Sequence, residues 1–89
     1  MKVKEVYRDK VTGEVIYEFD CPGCKRVHHF NNTWSFNNDF NKPTVNPSIK
    51  VSSPNKVLCH SYVKDGFIQF LTDCAHTMAG KTVSLPEIE

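Results

Sequence analysis

Alternation of apolar and polar side chains runs through most of this chain. "KVKEVYR" sets Val3, Glu5 and Tyr7 on one side of an extended segment. "GEVIYEFD" sets Val15, Tyr17 and Phe19 on one side and Ile16 on the other. A period of two is the pattern of a half-buried strand. The short, Gly-terminated link "DKVTG" makes these two segments a hairpin. "VHHF" adds a short third strand. From Asn31 to Asn55, Asn, Pro and Ser dominate, with Trp34, Phe36, Phe40, Val45 and Ile49 spaced among them. Those aromatics predict an ordered loop whose rings fold inward as a satellite core. The competing reading is an exposed patch that stacks on bases or binds a protein. Pro43, Pro47 and Pro54 argue against a central strand in this region.

"VLCHSYV-KDG-FIQFL" is the strongest element. Asp65-Gly66 is a favoured two-residue hairpin turn, because both positions need positive φ. With the turn there, Lys64 faces Phe67, Val63 faces Ile68, Ser61 faces Phe70 and Cys59 faces Thr72. Side chains alternate along each strand, so Cys59 and Cys74 share a face at the open end and His60 points the other way. Asp73 is a good N-cap and Gly80 a good C-terminal stop, which predicts a helix of at most two turns between them. "TVSLP" reads as a last strand. The expected fold is mainly β: one domain over residues 1–89, a small antiparallel sheet built from hairpins, with one short helix near the C-terminus.

A chain of 89 residues buries a modest share of its surface, and a staple of some kind is common at this size. Hydrophobic residues make up 39% and charged residues 24%, as in a folded domain. A net charge of +1 with neutral histidines gives no broad electrostatic case for nucleic acid or an anionic membrane. The N-terminus lacks the apolar core of a signal peptide, and no apolar run approaches the length of a membrane span. These features predict an intracellular, cytoplasmic protein. Thiols stay reduced there, so a cysteine framework points to metal or catalysis before disulfides.

Cys21-Pro-Gly-Cys24 has the form of a metal-binding knuckle, in which Pro and Gly fold the backbone so that both sulfurs converge on one ion. A structural zinc site needs two more ligands. Cys59 and Cys74, brought together by the hairpin, supply them, giving a zinc-ribbon-like set of Cys21, Cys24, Cys59 and Cys74. Zinc is the expected cofactor, and its binding energy would stabilise a small domain. A disulfide or redox pair and ordinary buried thiols are the other readings. His28, His60 and His76 each lie near a cysteine and are candidate ligands, with His76 the first substitute for a cysteine. With a cysteine quartet on the metal, the three would gather near Asp73 on the opposite face. There they would bind a small ligand or anion, act as acid–base groups, or hold a second, open metal site. His29 reads as a plain strand residue.

Four stretches, "CPGCKRVH", "WSFNN", "KPTVNPSI" and "CHSYVKDGFIQFLTDCAHTMAGKTVSLP", resemble a family of small phage and prophage proteins often labelled ammonia monooxygenase. That label belongs to large membrane-bound copper enzymes, whose length and spans this chain does not have. The likeness covers Cys21 to Pro86, about three quarters of the chain. It implies roles for Cys21, Cys24, His28, Cys59, His60, Cys74 and His76, and leaves His29 outside. Phe36 stands where the family has a second Trp, Asn38 where it has Gly, Val45 where it has Phe and Met78 where it has Leu. Asn tolerates positive φ, so the turn at Asn38 survives. The resemblance implies a phage gene expressed in a bacterial host and brings no established activity.

Three functions follow. The favoured one is a non-enzymatic accessory protein with a structural zinc, binding a host protein or a nucleic acid. The second is a small-molecule or nucleotide-signal binder that sequesters its ligand, using His60, His76 and the Pro-rich loop. The third is a small zinc hydrolase with histidines at an open metal position. No membrane partner is expected, and oligomeric state is not legible.

Overall fold

A computed structural model describes residues 1–88. It contains eight strands: β1 (Lys4–Arg8), β2 (Val15–Cys21), β3 (Arg26–Asn31), β4 (Ser35–Phe36), β5 (Val45–Ser53), β6 (Lys56–Lys64), β7 (Phe67–Phe70) and β8 (Thr82–Ser84). Two antiparallel sheets result, β1-β2-β3 and β4-β5-β6-β7-β8, each strand beside its sequence neighbour. Their inner faces share one apolar core. Val15, Tyr17, Phe19 and Phe30 come from the first sheet, and Val45, Ile49, Val63, Ile68 and Phe70 from the second. The mainly β expectation holds.

The alternation predicted for β2 and for the β6–β7 hairpin holds as well, whereas in β1 the register shifts between Glu5 and Tyr7, and Glu5 and Tyr7 are exposed while Val3 is buried. β2 alternates buried and half-buried positions along its whole length. In the β6–β7 hairpin Lys64 pairs with Phe67, Val63 with Ile68 and Ser61 with Phe70. Asp65 and Gly66 both have positive φ, 51° and 83°, as their turn requires. Asn38 also takes a positive φ of 60°. The rings of Phe36 and Phe40 fold inward: Phe36 meets Tyr17 edge-on at 4.9 Å and Phe40 at 5.5 Å.

Three predictions need correction. The helix between Asp73 and Gly80 is absent, and no helix occurs among the described residues. The segment turns instead, with Ala79 N–H donating to His76 O and Lys81 N–H to Met78 O. A two-turn helix gains little by itself, and here its first residues are tied to β6. Ala75 N–H donates to Leu58 O, and the Cys74 thiol donates to His60 O. Cys59 does not pair with Thr72, because β7 ends at Phe70 and the chain turns away after Leu71 N–H bonds His60 O. Finally, the Pro-rich region contains β5, an interior strand of its sheet. Pro47 is tolerated because β4 pairs only with Val45 and Asn46, so beyond them β5 has a free edge. On its other side the β5–β6 register is irregular between Val45 and Ile49, where a residue without an N–H costs no ladder bond.

No helix of the described residues is long and apolar enough to cross a membrane.

Candidate functional site

Two clusters occupy opposite faces of the five-stranded sheet at one end. The inner one is built on the β2–β3 hairpin tip. Cys21 ends β2, Arg26 begins β3 opposite it, and Lys25 takes a positive φ of 56° to close the tip. Lys25 N–H donates to Cys21 O, and Cys24 N–H donates to the Cys21 sulfur at 3.4 Å. That tip meets Cys59 of β6 from the other sheet. The sulfurs of Cys21 and Cys59 lie 3.9 Å apart.

Ligand atoms of Cys21, Cys24, His28 and Cys59 all lie within 4.8 Å of one another. A tetrahedral ion with metal–sulfur bonds of about 2.3 Å holds two sulfurs about 3.8 Å apart, close to the separation here. His28 is buried, and its Nε2 has no hydrogen-bond partner among the described residues. A buried imidazole nitrogen without a partner is costly unless something such as a cation completes it. The residues therefore fit a closed metal site. Cys21 is drawn well below the usual thiol range, chiefly by its bond with Cys59 and then by His28 and the Cys24 amide. Cys59 is pushed up, first by that same bond and then by burial. Cys24 is raised too, by burial and then by the neighbouring Cys21, so the negative charge is concentrated on Cys21.

Cys74, expected as the fourth ligand, lies outside that group of four. It forms a second group with Cys59 and His76. Its sulfur accepts from His60 N–H and donates to His60 O, both at 3.2 Å. His76 Nδ1 accepts from Met78 N–H at 3.2 Å. Its Nε2, like that of His28, is buried and has no hydrogen-bond partner among the described residues. Gly23 leaves the room for that ring, since a Cβ there would overlap the imidazole. His29 is the plain strand residue expected, exposed and paired with Glu18 at 2.9 Å.

The outer cluster uses the side chains that alternate the other way. His60 turns from the sulfurs, and its Nδ1 lies 3.2 Å from Asp73 Oδ2. Its Nε2 lies 2.9 Å from Ser48 Oγ. A carboxylate only accepts, so the imidazole proton sits on Nδ1, and Nε2 accepts from the Ser48 hydroxyl. His60 is 23% exposed and Asp73 48% exposed, while Ser48 is half-buried. Ser48 is held from behind by the Trp34 indole, whose N–H donates to Ser48 O at 3.3 Å. Of the three histidines expected to gather by Asp73, only His60 does so. Ser48 was not foreseen. It stands one residue after Pro47 on the strand the prolines argued against.

A family model described as "Bacterial ubiquitination-like system serine protease (BubE)" matches residues 1–71. The matched region contains Ser48, His60 and Trp34 and stops two residues before Asp73. No curated protein and no solved structure matches the chain.

Proposed function

The chain belongs to this BubE family, and from that premise we propose that it is a serine peptidase of a ubiquitination-like system, acting through Ser48, His60 and Asp73. The observation that carries the reading is the unbroken hydrogen-bonded line from Ser48 Oγ through the imidazole of His60 to Asp73 Oδ2, at 2.9 and 3.2 Å. The three residues are separated by 12 and 13 positions and come from β5, β6 and the turn after β7. A triad is defined by this geometry and these roles, not by order along the chain.

Each residue has a distinct part. Ser48 Oγ attacks the scissile carbonyl carbon as His60 Nε2 takes its proton. The proton then passes to the leaving amine as the C–N bond breaks, which leaves an ester on Ser48. Water, deprotonated by the same nitrogen, hydrolyses that ester and returns the hydroxyl. Asp73 holds the Nδ1–H tautomer and stabilises the imidazolium that forms. Trp34 fixes the backbone from which the nucleophile projects.

Behind the triad, Cys21, Cys24, His28 and Cys59 hold a structural zinc ion in this reading. The buried sulfurs of Cys21 and Cys59 and the unpartnered His28 Nε2 support it. An ion held there would join the β2–β3 hairpin to β6 and so link the two sheets, away from the bond-breaking groups. The reading departs from the expected non-enzymatic binder because three chemically matched side chains converge on the solvent side.

The test is labelling with a fluorophosphonate followed by peptide mapping. The label is expected on Ser48, lost in Ser48→Ala and strongly slowed in His60→Ala. Labelling of a different serine, or labelling indifferent to His60, would sink the assignment.

A further inference from the structure

The outer face of the five-stranded sheet continues past the triad. On β6 the inward positions are Cys59, Ser61 and Val63, all buried, and His60, Tyr62 and Lys64 alternate outward. Register extends that face: Tyr62 lies opposite Gln69, Lys64 opposite Phe67, and Gln69 opposite Thr82. Between these side chains and Asn46 runs a groove of about 620 Å³, larger than the cavities of about 230 and 200 Å³ found elsewhere. Two aromatics stand in solvent on its walls, Tyr62 at 43% and Phe67 at 50% exposure. Lys2, bonded to Ser84 Oγ, backs the Phe67 ring with its ammonium 6.0 Å from the centroid.

The groove lies on the same face of the sheet as the triad, although Ser48, His60 and Asp73 are not part of its lining. Tyr62 is the next outward position after His60, about 6.6–7 Å along the strand. Asn46 precedes Ser48 by two residues. An extended polypeptide repeats its side chains at that same interval. A substrate whose carbonyl sits at Ser48 therefore lays a neighbouring side chain against Tyr62. The chemistry of the lining also selects. Lys64 and Asp65 offset each other, so no single charge is favoured. The side-chain amides of Asn46 and Gln69 make no hydrogen bond among the described residues, which leaves both free for backbone groups of a bound chain. Exposed aromatics beside a few neutral hydrogen-bonding groups are the makings of a peptide subsite.

We propose that this groove is the substrate subsite: it takes an extended polypeptide with an apolar side chain beside the scissile bond, gripped between Tyr62 and Phe67. The proposal rests on the Ser48–His60–Asp73 reading and sets which polypeptides that site accepts. Apolar pockets discriminate by about 10–200-fold per small group gained or lost.

The experiment has two arms. In the first, fluorogenic peptides that differ only at the residue beside the cleaved bond compare Leu or Phe with Gly and Asp. The parent should prefer the apolar peptides by at least about tenfold in kcat/KM, and Tyr62→Ala or Phe67→Ala should erase that preference. A preference unchanged in both variants would overturn the proposal. The second arm is independent of turnover. Ser48→Ala protein is titrated with the Leu peptide and followed by backbone NMR. Shifts centred on Tyr62, Phe67 and Gln69 uphold the groove, even if Ser48 proved unreactive towards the fluorophosphonate and the triad reading fell. Shifts elsewhere, or shifts at these residues that track protein concentration without peptide, would overturn it. The latter would mean a second copy of the chain fills the groove.

Discussion

Replacing His28 by alanine separates the two quartets that could hold the ion. The sequence points to Cys74 as the fourth ligand, whereas the structure groups the buried His28, whose Nε2 has no partner among the described residues, with Cys21, Cys24 and Cys59. The expected loss follows from size. A chain of 89 residues has a net stability on the order of 4–13 kcal/mol, taking 0.05–0.15 kcal/mol per residue. A structural zinc site contributes about 10–16 kcal/mol, so an even share for one ligand in four is about 2.5–4 kcal/mol. At roughly 4–8 °C per kcal/mol for a domain of this length, His28→Ala should melt about 10–30 °C lower and lose its ion. Cys74→Ala removes two sulfur bonds to the His60 backbone, each worth about 1 kcal/mol or less, and should keep the ion. Native mass spectrometry gives the stoichiometry, and circular dichroism with and without a chelator gives the melting points. Cobalt(II) substitution should report three sulfurs and one nitrogen. An ion retained by His28→Ala and lost by Cys74→Ala would refute the reasoning and restore the four-cysteine set.

Two further outcomes are expected. Asp73→Asn keeps the shape of the side chain but removes the carboxylate that selects the Nδ1–H tautomer of His60, so kcat should fall about 10⁴-fold with little change in melting temperature. A fall of tenfold or less would show that Asp73, half-exposed as it is, does not orient the base. Trp34→Phe removes the indole N–H that bonds Ser48 O. One such neutral bond is worth about 1 kcal/mol, so melting should drop by only about 4–8 °C. Fluorophosphonate labelling of Ser48 should slow by tenfold or more, and an unchanged labelling rate would make Trp34 a packing residue alone.

Where side-chain alternation determined the outcome, the fold was legible. The Asp65-Gly66 turn set the register of β6 and β7, and that register put Cys59 on the inner face and His60 on the outer one. The Cys21–Cys24 knuckle was legible from its spacing, and its place at the tip of the β2–β3 hairpin follows from the strands on either side. Two features were not legible because long-range contacts overrode local preference. Asp73 and Gly80 carry good capping chemistry, yet the ties from Cys74 and Ala75 to β6 hold the segment in turns. Pro47 argues against an interior strand, but its neighbours on both sides ask for no N–H there. Arguing against β5 also hid Ser48, the proposed nucleophile. A serine in "NPS" has no spacing that distinguishes it. What could have found it is the outward turn of His60 beside Asp73, which leaves a base and its orienting acid wanting a hydroxyl from the adjacent strand.

Each half of the His60–Asp73 pair is next in sequence to a cysteine that faces the core. On β6, Cys59 points inward to the other sulfurs and His60 outward to Ser48. After β7, Asp73 points outward while the Cys74 sulfur bonds both backbone groups of His60. The thiol of Cys74 thus ties the segment carrying Asp73, the proposed orienting acid, to His60, the proposed base. Loss of that tie should act on geometry before it acts on folding. Displacement of a reacting group by about 1 Å can cost on the order of 10²-fold. Cys74→Ala should therefore lower kcat about 10–100-fold while KM and the bound ion are retained. Cys74→Ser, whose hydroxyl can still donate to His60 O, should recover part of the loss. The low-field proton resonance of His60 Nδ1–H should broaden in the alanine variant and sharpen again in the serine variant. If kcat and that resonance are both untouched by Cys74→Ala, the sulfur serves packing alone, and the alignment of base and acid is set by the strands themselves.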